Sequence, residues 1–141
     1  MRNRLRLLLL ACLIGVVVVA LATPRLLRWR LAASEISAPQ DLQHIAAAIE
    51  AYASEHGTLP PTLSSLRGRV VPSLACEAPT CNYRCYRFRY STVPPEGDKM
   101  RYALSAKSLL GGGHSFYLDQ TGTVRMTAEN REATKADPAM R

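Results

Sequence analysis

No acidic residue occurs among the first 34 positions, whereas six of the chain's 18 lysines and arginines fall within the first 39. This one-sided charge gives residues 1–39 a net +5, with Glu35 their sole acid, and leaves the other 102 residues at +2. A uniformly cationic nucleic-acid-binding domain is excluded, because most of the excess flanks one apolar segment and the remainder is nearly balanced. Catalytic signatures are missing too. There is no His-Glu metal motif, no phosphate-binding glycine loop and no Ser-His-Asp order, so neither an enzyme nor a cofactor is expected. With 141 residues and no internal repeat, the chain suits one domain rather than two separate cores.

What is present begins with LLLLACLIGVVVVALAT, the 17 uncharged residues 7–23. As a helix they would extend about 25 Å against a hydrocarbon core of about 30 Å. Three readings compete. A cleaved secretory signal would use Ala20-Leu21-Ala22 as its processing site, and a lipoprotein signal would use Cys12, although only five apolar residues precede it. An uncleaved anchor is favoured, because the greasy stretch continues past Pro24 into Leu26, Leu27, Trp29 and Leu31, interleaved with Arg25, Arg28 and Arg30. That is a pattern for an interfacial helix with snorkelling arginines. The expected organisation is a basic cytoplasmic stretch (1–6), a transmembrane anchor (7–24), a juxtamembrane segment (25–36) and an extracytoplasmic domain (37–141) ending in a polar tail (128–141).

Ser37-Ala38-Pro39-Gln40 has the form of a helix start, so a helix is expected to begin or be re-set there. Leu42, Ile45, Ile49 and Tyr52 then recur at helical spacing as one apolar stripe in search of a partner surface. His56-Gly57 ends the pattern with a cation in the last turn and a glycine just beyond it, and Pro60-Pro61 forbids continuation. Residues 62–66 suit one short extra turn. After Arg67 the period changes to two. Tyr86-Arg87-Phe88-Arg89-Tyr90 alternates strictly, residues 102–106 form a second candidate strand, and residues 94–98 between them favour a turn. Residues 115–119 and 123–126 flank Gln120-Thr121-Gly122 as a hairpin whose glycine takes positive φ. The tail from Ala128 is polar and aperiodic, and is expected to be poorly ordered or laid over the surface. The fold class predicted by this order is α+β, with an antiparallel sheet covering the apolar stripe of a spine helix.

Cys76, Cys81 and Cys85 lie within ten residues, a density that suits an oxidising compartment. One disulfide with one leftover thiol is expected, and all three pairings stay open. A metal site built from these cysteines and His114 is disfavoured, because the spacing lacks the tight pair typical of zinc. Arg84, Arg87 and Arg89 alternate with aromatics, which places the two kinds on opposite faces, so nucleic acid is not an expected partner. His44 and His56 are expected at the surface.

Residues 41–52, with Ala48-Ile49-x-x-Tyr52, run into Gly57-x-x-Pro60-x-x-Leu63-x-x-Leu66. This stretch, the hairpin sequence of residues 115–125, and Ile14-Gly15 followed by an apolar run to Pro24 resemble the type IV pilin-like proteins, in particular the pseudopilins of type II secretion systems. No prepilin peptidase site is recognisable, since no acid stands where the family carries a glutamate in its membrane helix. The resemblance implies a structural or accessory component of a type II secretion system or type IV pilus. It would sit in the bacterial inner membrane as a single-pass protein, with its C-terminal domain in the periplasm or outside the cell. Its partners would be the membrane and other pilin-like or secretion subunits. Leu42, Ile45, Ile49 and Tyr52 would make the helix–sheet contact, and Gly57 and Pro60 the turn. The resemblance also raises a calcium loop at Asp119-Gln120-Thr121, disfavoured because only one carboxylate is local. The alternative is an anchored or secreted binding domain that never assembles.

Overall fold

A computed structural model describes residues 2–96 and 99–140, except the side chains of residues 2–11, 21–22, 24–27, 31, 95, 96 and 99. One helix, α1 (Arg2–His56), is followed by a short 3₁₀ turn (Leu63–Leu66). Five strands follow: β1 (Thr80–Tyr83), β2 (Tyr86–Glu96), β3 (Lys99–Ser108), β4 (Ser115–Asp119) and β5 (Arg125–Thr127). They form a single antiparallel meander in the order β1-β2-β3-β4-β5.

The C-terminal part of α1 lies on the sheet because its stripe and the inner faces of the strands are both apolar. Leu42, Ile45 and Ile49 are buried, with Ala38, Ala46 and Ala48 beside them. They pack in one cluster with Tyr86, Phe88 and Tyr90 of β2, Tyr102, Leu104 and Ala106 of β3, and Phe116 and Leu118 of β4. The register aligns these residues in rows, Phe88 opposite Ala106 and Ala106 opposite Phe116, so every second residue faces the helix. Leu63 and Leu66 of the 3₁₀ turn close the end of the cluster.

The expectation of a membrane-crossing helix, on which both the predicted fold class and the inner-membrane placement rested, is corrected. Among the described residues no helix is long and apolar enough to cross a membrane. Residues 12–20, the uncharged run with described side chains, rise about 14 Å as a helix, under half of a hydrocarbon core about 30 Å thick. Residues 7–11, 21, 22 and 24, which the expected anchor also used, lie outside the described side chains.

The helix is also not re-set at Ser37. It runs on through Pro39, and the Ser37 hydroxyl donates back to the Ser34 carbonyl at 3.1 Å instead of capping a new start. An interior proline costs a helix about 3 kcal/mol. Burial of Ala38, Pro39 and Leu42 against the sheet offsets that cost here.

The end of the helix follows its sequence signals. Gly57, at φ +69°, donates its amide to the Ala53 carbonyl at 2.8 Å, and Pro60 is buried with its carbonyl accepting from the Tyr90 hydroxyl at 2.8 Å. In the sheet, β2 and β3 extend beyond the alternating stretches. The register shifts between Val93 and Glu96, where Pro94 and Pro95 have no amide to give the ladder. Gly97 and Asp98 of the expected turn lie outside the described residues. β1 has no counterpart among the expected strands, because its hairpin turns on Arg84 at φ +53° and carries no glycine or asparagine signal.

The tail is laid over the surface. Residues 138–140 run along the free edge of β5, with Met126 N–H on the Pro138 carbonyl at 3.1 Å and Met140 N–H on the Val124 carbonyl at 2.8 Å. The loop before them is held by the Asp137 carboxylate. It accepts from both Arg131 guanidinium nitrogens at 2.8 and 2.5 Å and from Thr134 N–H at 2.7 Å.

Candidate functional site

Two regions of α1 differ in what surrounds them. From Ala38 onward one side of the helix is covered by the sheet. Before it, the helix carries apolar side chains that no described residue covers. Leu13, Ile14 and all four valines at 16–19 are exposed, Trp29 is 77% exposed and Ile36 74%. Four consecutive valines point in four directions around a helix, so no single sheet face would bury them. Cys12, at the start of this run, is an exposed free thiol.

The boundary between the regions is fixed by Glu35. One of its carboxylate oxygens accepts the His114 backbone amide at 2.7 Å and also meets the His114 Nδ1, tying the glycine-rich loop before β4 to the helix. The Tyr86 hydroxyl donates to the His114 carbonyl at 3.0 Å and completes the joint. Burial holds the Tyr86 phenol above its ordinary range and pushes that of Tyr90 up to about 12. Beside the joint lies an open groove of about 870 Å³ between α1 and the β4–β5 hairpin, lined by Ala32, Ile36, Phe116, Val124, Met126 and Met140 among others.

The cysteines resolve into one bridge. Cys76 and Cys81 form a disulfide with Cα atoms 6.3 Å apart, and Cys85, at the start of the β2 hairpin arm, remains a half-buried thiol. Closing so short a loop stabilises the fold by about 2 kcal/mol. It also consumes two of the three thiols that a metal site with His114 would have needed, while His114 itself is engaged by Glu35. Asp119 Oδ1 accepts from Thr121 N–H at 2.9 Å and from its hydroxyl at 2.6 Å, so this carboxylate shapes the turn in which Gly122 takes φ +73°.

Of the residues singled out from the sequence, Leu42, Ile45 and Ile49 meet the sheet and Tyr52 lies at the margin of the cluster, its ring stacked on His56 at 4.0 Å. Gly57 and Pro60 form the turn. Arg87 and Arg89 face outward while Tyr86, Phe88 and Tyr90 face the core. The pairs Glu35–His114, Arg89–Glu132 at 3.3 Å and Arg131–Asp137 escaped the sequence reading. The first two join residues far apart in the chain, and no local pattern announces them.

No protein-family model matches this chain, and neither does any curated protein or solved structure. These comparisons neither support nor overturn the pilin-like resemblance.

Proposed function

We propose that this protein is a non-enzymatic, pilin-like structural or accessory subunit of a type II secretion system or type IV pilus, and that the first half of α1 is its assembly element. The observation that supports this reading is the exposed apolar run of residues 13–19, continued by Trp29 and Ile36, on a helix whose second half is already satisfied by the sheet. An apolar surface on every side of a helix requires partners on every side, and helices of neighbouring subunits supply them with ridge-into-groove packing. The domain then stands on this shaft as a rigid body, held at the Glu35–His114 joint.

The test is co-expression of the full chain with pilus or secretion subunits, followed by crosslinking and purification. The intact chain is expected to recover such subunits, and Val17→Glu to lose them with an unchanged Tm. Recovery of no such subunit, or a Val17→Glu variant that still recovers them, overturns the reading. The groove beside Phe116 and Val124 favours a second reading, a ligand-binding domain that does not assemble. A full chain that stays monomeric at high concentration would support it.

A further inference from the structure

On the outer face of the sheet, away from α1, the register sets Arg87 of β2 directly opposite Lys107 of β3. Side chains so placed have Cβ atoms about 5 Å apart, and like charges there repel. Neither cation has a carboxylate within 4.0 Å among the described residues; Arg87 reaches only the Asn82 side-chain oxygen, at 3.3 Å. The next outward row holds Arg89, Ser105, Tyr117 and Arg125. There the chain already supplies a counter-charge, since Glu132 of the tail reaches Arg89. Arg89 is therefore matched by an acidic segment of the chain itself, and the adjacent row is left with two opposed cations on mutually paired strands.

We infer that the Arg87–Lys107 row is a docking site for an acidic, extended segment of a protein partner, lying beside the tail and placing a carboxylate between the two cations. Glu132 on Arg89 shows the chemistry in the same setting, a carboxylate from an irregular segment crossing the outer face. A nucleic-acid backbone fits less well. The aromatic residues that would stack bases on this strand, Tyr86, Phe88 and Tyr90, face the core. This surface is on the opposite side of the sheet from the helix and is independent of how α1 associates.

The experiment measures binding of the full chain to immobilised poly-L-glutamate and to a DNA duplex at low ionic strength, where exposed charges are least screened. The variants are Lys107→Glu, the double variant Arg87→Gln with Lys107→Gln, and the exposed control Arg67→Gln. Polyglutamate binding is expected to weaken at least tenfold in the first two and to be unchanged in the control. The Tm of Lys107→Glu should equal or exceed that of the parent, because a repulsive pair becomes an attractive one. Equal affinity in all variants, a duplex bound as tightly as polyglutamate, a lowered Tm in both Lys107 variants, or no binding at all would each overturn the proposal.

Discussion

The two halves of α1 invert the usual relation between apolar content and burial. Residues 13–19 are the most apolar stretch with described side chains, and their large side chains are exposed; residues 38–49 alternate apolar with polar and charged groups, and they form one wall of the core. What decides burial is pattern. Leu42, Ile45 and Ile49 share one side, so a single sheet satisfies them and leaves Gln43, His44 and Glu50 in water. The valines at 16–19 have no common side, and no described residue covers them.

The sharpest way to break that comparison is a carboxylate in each half. Ile49→Asp buries a charge without a partner and should abolish soluble expression of the full chain. Val17→Asp should leave the domain's Tm within about 0.5 kcal/mol equivalent of the parent, as surface substitutions do. Expression yield and thermal melts read both, and a destabilised Val17→Asp would show that the exposed half is packed on the domain after all.

A smaller effect is expected at the disulfide. Cys81→Ser removes the bridge and should cost about 2 kcal/mol in denaturant unfolding, whereas Cys85→Ser should cost much less because no bridge is lost. Equal losses would mean that the pairing differs from Cys76–Cys81.

The smallest expected effects are in pH dependence, and they belong to the packed half and the tail. Burial raises the folded-state phenol of Tyr90 to about 12, so its contribution is complete below pH about 10, the ordinary tyrosine value, and is lost as pH rises from there toward 12. Tyr86 and Tyr102 are shifted in the same direction by burial. Asp137 behaves oppositely. Hydrogen bonds from Arg131 hold its carboxyl well below the ordinary range, so its contribution is present at neutral pH and is lost as pH falls below about 4. Amide exchange at Met126 and Met140 should rise in acid while the β2–β3 core stays protected. Simultaneous loss of both would show that the tail and the sheet unfold as one unit.

Much of this was legible in the chain. Period 3.6 marked the buried stripe of α1, strict alternation over residues 86–90 marked which face of β2 is inward, and Gly57 and Gly122 marked positions that need positive φ. These are local properties, written in spacings of two to four residues and in the one residue type that left-handed backbone favours. Other features depend on what meets them across the fold. Ser37-Ala38-Pro39 reads as a helix start, yet the sheet's cover over Ala38 and Leu42 carries the helix through it. Three cysteines allow three pairings, and the folded loop before β1 brings Cys76 to Cys81. Two outward cations on separate strands become an opposed pair only through the register of β2 on β3. The sequence by itself determined which faces are apolar and where the chain turns, because those follow from backbone geometry and side-chain periodicity. Only the tertiary structure decided which stretch of the helix is covered, which thiols join and which charges confront each other, because each depends on contacts between residues that no short-range pattern relates.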